Sequence, residues 1–538
     1  MCEPEKNDRA GAPPADCKNR RMRLLIWRFH ALWLLASALA LQGCASLPPL
    51  EDRVASTRIA PAADSALGRS IVPLTAQHPG LSGVVPLLRG GDAFAARIRL
   101  ADAAERSLDV QYYIWHKDLS GTLLADALRR AADRGVRVRI LLDDNNTAGL
   151  DAPLAALARH PHVEVRLFNP FLVRQSRPLA FLFDFDRLNR RMHNKSFTAD
   201  NLATIVGGRN IGDEYFDAAP DLLFVDLDAL AIGPVVDAVS RDFDRYWASE
   251  SSYPVESIVP AIDRSAADDL ANAAAQLERS DAAVTYRRAV DNSPFVRDLI
   301  ARRLPIEWAP IRLISDDPAK GLGDADADRL IWPQLKRAMR DPERSLKLIS
   351  PYFVPGRQGT AELIALARRG VRVQILTNSL EATDVAAVHS GYAKRRKALL
   401  EAGISLYEIK RVASAPSPAR ISGGSSGASG SSLHAKTFAI DDAQIFIGSF
   451  NFDPRSARLN TEMGFVIDSP TLARSIADSF GREMPSRAYE VRLAADGELE
   501  WVERSGGTEV VHRVEPGTTL LKRIGVGVLS WLPIEWLL

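Results

Sequence analysis

The feature that most limits how this chain can fold is an internal repeat. Residues 134–141 (RGVRVRIL) recur at 369–376 with a single change, Gln374 standing where the first copy has Arg139. That is an offset of 369 − 134 = 235 residues. A second landmark keeps nearly the same register. His193-Asn194-Lys195, Asp200 and Gly207-Gly208-Arg209-Asn210 reappear as His434-Ala435-Lys436, Asp441 and Gly448-Ser449-Phe450-Asn451, offset by 434 − 193 = 241. Both follow the pattern HxKxxxxDxxxxxxG(G/S)xN. Two landmarks that agree to within six residues (241 − 235) call for a duplicated unit, not a chance pair of motifs.

The unit itself is α/β. In the first half, Asp92 to Ala104 has helical apolar spacing, and Leu108 to Trp115 is β-branched and aromatic enough for a buried strand. Gly121 to Arg134 is an amphipathic helix, and Val136 to Leu142 a strand that ends in the turn formers Asp143-Asp144-Asn145-Asn146. Strand, helix and strand, with a Gly at the helix end, predict a right-handed parallel crossover. The second half repeats the order with a strand at Leu346 to Ser350, a helix at Thr360 to Arg369 and a strand after it. Each HxK is predicted to sit on a strand, Lys195 to Ala199 or Lys436 to Ile440, whose period of two points His and Lys to one side. Asp200-Asn201 and Asp441-Asp442 make the turns, and Leu202 to Val206 and Ala443 to Ile447 the return strands.

The residue types name a chemistry. His, Lys and Asn together supply what a phosphodiester needs: a nitrogen nucleophile, a point charge for the non-bridging oxygens and an amide donor. Of nine histidines, only His193 and His434 carry a Lys two places on and a Gly-x-x-Asn at matched distance. One bilobal site with two histidines is expected.

Sixty-eight basic residues against sixty-seven acidic ones leave a formal charge of +1, so no global basic field draws in a nucleic-acid backbone, and no nucleic-acid partner is expected. All three cysteines, Cys2, Cys17 and Cys44, precede residue 45. Lys18, Arg20, Arg21 and Arg23, then an apolar stretch, then Leu41-Gln42-Gly43-Cys44, resemble a bacterial lipoprotein signal in which Cys44 takes the lipid. The alternative is an uncleaved interfacial helix, since Arg28 and His30 leave only Ala31 to Leu41 unbroken, too short to span a bilayer, which takes about 20 residues.

The expected organisation is a signal over 1–44, a Pro/Ala/Ser-rich tether over 45–80, a first lobe over 81–260, connecting helices over 261–310, a second lobe over 311–495, and a C-terminal hairpin and apolar tail over 496–538. Arg411 to Ser432, dominated by Pro, Ser and Gly, reads as a mobile loop before His434. In the tail, Trp531 and Trp536 among aliphatic residues, beside Lys522 and Arg523, suit either a membrane interface or docking onto the core.

These motifs resemble the duplicated HKD hallmark of the phospholipase D superfamily. The likeness is strongest to bacterial cardiolipin synthases of the C type, through Leu108 to Trp115, Leu141 to Asn146, Leu188 to Lys195, Val206 to Asp213 and Leu433 to Lys436. The resemblance implies two similar phospholipase D-type lobes, mixed sheets flanked by helices, packed as a pseudo-symmetric pair. It implies His193 as nucleophile and His434 as acid and base, with the reverse order open, and needs neither cofactor nor metal. Lys195, Lys436, Asn210 and Asn451 would bind phosphate oxygens, with a hydroxyl contact from Ser449 on one side only, where the first motif has Gly208. Glu462, in the second half, and Asp226, in the first, would support the histidines. Asp200 and Asp441 complete the catalytic motifs, in a turn-stabilising role. Arg190, Arg191 and Arg455 would either add phosphate contacts or remain solvated. The substrates implied are phosphatidylglycerol and a second phospholipid donor at a membrane of the bacterial cell envelope. Discharge to water, giving a phosphatidic acid-releasing hydrolase, is the alternative; a nuclease or a non-catalytic membrane scaffold fits less well.

Overall fold

Two sheets carry the molecule, and the repeat is visible in their strand order. The computed structural model describes residues 47–51, 53–219, 222–260, 272, 275–411, 430–482 and 484–538. The expected signal with Cys44, the Gly/Ser-rich stretch from 412 to 429 and most of 261–274 lie outside the described residues.

In the first half the strands are β1 (Ser82–Leu87), β2 (Ser107–Ile114), β3 (Arg137–Asn146), β4 (Val163–Phe168), β5 (Ser196–Ala199), β6 (Ala203–Gly207), β7 (Leu222–Val225), β8 (Asp228–Ile232), β9 (Ser252–Pro254) and β10 (Glu307–Ala309). All but β7 form one sheet in the order β10-β1-β8-β6-β5-β2-β3-β4-β9. The second half has β11 (Ile311–Ser315), β12 (Ser345–Ile349), β13 (Arg372–Asn378), β14 (Ser405–Ile409), β15 (Gly430–Leu433), β16 (Lys436–Ile440), β17 (Gln444–Gly448), β18 (Met463–Ile467), β19 (Ala488–Leu493), β20 (Leu499–Ser505) and β21 (Thr508–His512). Their sheet runs β11-β18-β17-β16-β12-β13-β14-β19-β20-β21. The run from β8 to β9 in the first sheet matches that from β18 to β19 in the second, strand for strand. Both sheets are mixed: β2, β3 and β4 are mutually parallel, as are β12, β13 and β14, while the motif strands β5 and β16 pair antiparallel to β2 and β12.

The sheets face one another over a shared apolar layer, with Val84, Val206, Ala229 and Ala231 from one side meeting Ile445, Ile447, Phe465 and Ile467 from the other. Each buried Val, Ile or Phe of this layer contributes about 1.5–3 kcal/mol, so the shared layer holds the lobes as a pair. The two remaining strands, β7 and β15, pair in parallel across the lobes.

Three local expectations change. β3 runs on through Asp143 and Asp144, which are fully buried because their carboxylates have partners: Asp143 accepts the N–H of Met192 at 2.7 Å, and Asp144 accepts that of Phe171 and pairs with Arg174, both at 2.7 Å. The stretch expected to be a tether contains a helix, Ala66–Ala76, capped by Ser65. The C-terminal hairpin β20–β21 extends the second sheet through β19. No helix among the described residues is long and apolar enough to cross a membrane.

Candidate active site

The two hairpins β5–β6 and β16–β17 carry the motifs, and their aspartates lie at the end away from the histidines. Asp200 and Asn201, and Asp441 and Asp442, have positive φ of 51–54°, the left-handed pair that a tight hairpin turn requires. The Asp200 carboxylate accepts the N–H groups of Arg106 at 2.8 Å, Ser107 at 2.9 Å and Glu105 at 3.1 Å. Asp441 does the same with Arg344 at 2.7 Å, Ser345 at 2.8 Å and Glu343 at 3.0 Å. Both therefore clamp the hairpin turn to the start of the neighbouring strand, β2 or β12, and neither side chain joins the histidine cluster.

His193 and His434 do not lie on the strands expected for them; each falls in a short gap just before or beside its strand. The gap exists because the preceding backbone bonds to the other lobe. His434 N–H donates to Val225 O at 2.8 Å, and His193 N–H donates to Thr461 O at 2.9 Å. Val225 and Thr461 are the residues immediately before Asp226 and Glu462. The same crossing is repeated by the side chains: His193 Nδ1 is 2.8 Å from Glu462 Oε2, and His434 Nδ1 is 2.5 Å from Asp226 Oδ2. Each imidazole is thus held by a carboxylate from the opposite lobe, and neither half-site is complete within one repeat.

Behind the carboxylates the two sides differ. A Cβ on Gly208 would lie 2.1 Å from Asp226 Oδ1, so only glycine leaves room for that carboxylate. At the equivalent place Ser449 is fully buried, and its hydroxyl donates to Glu462 Oε2 at 2.5 Å and accepts from Met463 N at 3.1 Å. The expected phosphate contact from Ser449 gives way to a contact with the supporting carboxylate. Asp226 also accepts Leu227 N–H at 2.7 Å, whereas Glu462 keeps a buried oxygen, Oε1, without a partner.

The lysines lie among these groups. Lys195 Nζ donates to His193 O at 2.6 Å and sits 5.4 Å from the centre of the Tyr113 ring. Lys436 Nζ lies 2.9 and 3.1 Å from the two ring nitrogens of His434 and also donates to His434 O. Of the two amides, Asn210 is engaged at both ends, accepting Ile114 N–H at 3.2 Å and donating to Tyr215 OH at 3.0 Å. Asn451 has a buried side-chain oxygen with no partner.

Burial drives the electrostatics. It pushes His193 well below the usual histidine range, assisted by the charges of Lys195, Lys436 and His434. His434 is lowered by burial and by Lys436, with Asp226 opposing. Lys195 is lowered well below its usual range and Lys436 to about 8, again by burial. Desolvation raises Glu462 to about 7 against the pull of Lys195. Asp226 is also penalised by burial, yet His434, Lys436 and Arg209 hold it well below the usual carboxylate range. Two buried ammonium groups with depressed affinity for their protons form a site that gains from an incoming anion.

Two site residues were not singled out from sequence. Tyr113 packs edge-on to His193 at 4.9 Å between centroids, and Tyr215 edge-on to His434 at 5.2 Å. Strand alternation carries a signal for Tyr113, since Tyr112 points into the core to meet Arg97; nothing comparable marks Tyr215. The flanking arginines are structural. Arg191 is buried against Asp143, and Arg455 donates to Leu537 O, Asn189 O and Asn189 Oδ1.

Comparison with known proteins gives the family. Residues 98–247 and 335–484 each match the family described as "Cardiolipin synthase, PLD-like domain". The chain is 52% identical over 473 residues to Cardiolipin synthase C of Escherichia coli (strain K12), covering 88% of this chain and 99% of that protein. It is 25% identical over 467 residues to Cardiolipin synthase A of Edwardsiella ictaluri, covering 84% and 79%. A solved structure of phosphatidylserine synthase from Haemophilus influenzae Rd KW20 superposes with a TM-score of 0.49 at 14% identity, covering 78% of this chain and 91% of that one. Fold and site define a duplicated phospholipase D-type enzyme. Within that superfamily, the chain belongs to the cardiolipin synthase family of phospholipid transferases.

Proposed function

We propose that this enzyme moves a phosphatidyl group from one phospholipid to the hydroxyl of phosphatidylglycerol, making cardiolipin through a phosphohistidine. The observation that carries this reading is the pair of buried imidazoles, each held at Nδ1 by a carboxylate of the other lobe. That contact leaves Nε2 of His193 open for attack and Nε2 of His434, 3.1 Å from Lys436 Nζ, for the proton transfers. In the first step Nε2 of His193 attacks phosphorus, the bond from phosphorus to the leaving alcohol breaks, and protonated His434 gives that alcohol its proton. In the second step His434 takes the proton of the acceptor hydroxyl, whose oxygen attacks phosphorus, and the P–N bond breaks to restore His193.

The carboxylates support this order of roles. Burial lowers both histidines, His193 the further, which favours His193 as the neutral nucleophile, and the ionised Asp226 opposes that lowering at His434, which favours it as the proton carrier. Lys195 and Lys436 supply positive charge where charge grows on the non-bridging oxygens, and a rotated Asn451 amide adds an N–H donor. Asp226 and Glu462 orient the rings, and Ser449 and Gly208 shape the carboxylates.

A membrane location in the bacterial envelope, with lipid attached at Cys44, is supported by the N-terminal sequence, and mass spectrometry of the mature N-terminus tests it. For the reaction, the full-length protein in mixed micelles rich in phosphatidylglycerol is assayed by mass spectrometry for cardiolipin and phosphatidic acid. Cardiolipin is expected. Phosphatidic acid alone, with acceptor abundant, counts for hydrolysis and against transfer.

A further inference from the structure

Every exposed phenylalanine or tryptophan among the described residues lies in one of two stretches far apart in sequence. Phe183 and Phe185, with Leu179 and Leu182, precede His193; Trp531 and Trp536 belong to the C-terminal segment. In that segment the helix Leu520–Trp531 buries Val526 on one side and contacts the helix Ala386–Ala393. Its other side presents Leu521, Ile524, Val528 and Trp531, spaced as one helical face, with Leu521 and Trp531 81% and 91% exposed. The helix has no acidic residue, and its two basic ones, Lys522 and Arg523, are turned to the protein, donating to Leu380 O at 2.5 Å and Thr518 O at 2.8 Å; its twelve residues are too few to span a bilayer, which takes about 20.

One side chain ties the segment that follows the first stretch to the end of the second. Arg455, four residues after Asn451, donates from Nε to Leu537 O at 2.9 Å. Its guanidinium also donates to Asn189 O at 3.1 Å and Asn189 Oδ1 at 2.7 Å, and Asn189 stands four residues before His193. Backbone bonding from Arg455 N to Leu538 O at 2.8 Å and the Arg395–Glu535 ion pair at 3.0 Å fix the C-terminus in the same place. Exposed apolar side chains grouped on one helical face are costly in water and mark a contact surface.

We propose that these two stretches form one bipartite surface that docks on a phospholipid bilayer, with Arg455 tying together the segments that carry them. The proposal rests on the phospholipid reading of the site. A bilayer is favoured over a protein partner because tryptophan among aliphatic side chains, on a helix face free of charge and too short to span, matches the chemistry of a lipid interface. Docking there would bring the cleft to its substrate without lifting a whole lipid into water.

The test uses full-length protein on phosphatidylglycerol vesicles and on a short-chain, monomeric phosphatidylglycerol. The Leu521→Asp/Trp531→Asp variant is expected to lose about tenfold on vesicles and stay within about twofold on the monomeric lipid. Equal loss on both overturns the proposal, because it assigns the residues to the fold or the site; so does unchanged vesicle activity, whether or not the variant alters self-association. A second measurement needs no activity. Brominated phosphatidylglycerol in vesicles should quench a fraction of the tryptophan emission that falls when Trp531 is replaced in Trp531→Phe. An unchanged quenched fraction overturns the docking proposal. If the wild type transfers phosphatidyl groups on neither lipid, the functional reading fails, and the quenching still decides the docking.

Discussion

The two half-sites share a backbone plan and differ in how each carboxylate is held. On the His434 side, Gly208 leaves space for Asp226, which takes a backbone N–H and remains ionised under His434, Lys436 and Arg209. On the His193 side, the Ser449 hydroxyl meets Glu462, whose other oxygen has no partner and whose proton affinity rises to about 7 through burial. A duplicated lobe therefore surrounds its two histidines unequally, and the proposed division of roles, His434 carrying the proton and His193 attacking, rests on that difference. The asymmetry lives in the residues behind the motif, because the His and Lys themselves are the same on both sides.

The comparison can be broken by substitution. Replacing either histidine, His193→Ala or His434→Ala, should remove transfer on the order of 10⁴-fold while the protein stays folded; substantial activity in either variant would break the shared-site account. Exchanging the supports comes next. Gly208→Ser places a Cβ against Asp226 and should cost about 10²-fold by displacing His434, whereas Ser449→Gly removes one hydrogen bond to a charged group and should cost about tenfold. Equal effects would mean that the two sides are interchangeable.

The pH profile sharpens the same contrast. Glu462 must be ionised to support His193, so kcat/KM should fall as pH drops through about 7; Lys436 must be protonated, so it should fall again as pH rises through about 8. Glu462→Gln should abolish the acid limb and Asp226→Asn should not. The smallest effect on chemistry belongs to Asp200→Asn. It keeps a residue that tolerates positive φ, loses the charged acceptor of three N–H groups, and should cost about 1–3 kcal/mol in urea unfolding with near-normal turnover per folded molecule.

Much of this was legible in the sequence. The repeat gave two α/β lobes, and the strand order common to both sheets agrees with it, because period-two strands and amphipathic helices are local patterns. The motif residues and both supporting carboxylates could also be named. The crossing could not: which lobe's carboxylate meets which histidine depends on the β7–β15 pairing and on the Met192–Thr461 bridge, both contacts between distant segments. Ser449 was expected to face substrate because a hydroxyl beside a phosphate motif is chemically apt, but the Glu462 carboxylate, brought close by the fold, claims it. The tail offered membrane and core as alternatives; the helix Leu520–Trp531 buries one face and exposes the other, a division that depends on the docking of its partner helix.

The central claim is that His193 is the nucleophile and His434 its acid and base. It is tested most directly with an activated phosphatidyl ester, whose leaving group needs no proton, by acid quench and peptide mass spectrometry of the variants. A phosphatidyl adduct on His193 should accumulate in His434→Ala, and none should form in His193→Ala. An adduct on His434 in His193→Ala, with His193 unmodified in the companion variant, would contradict the assignment.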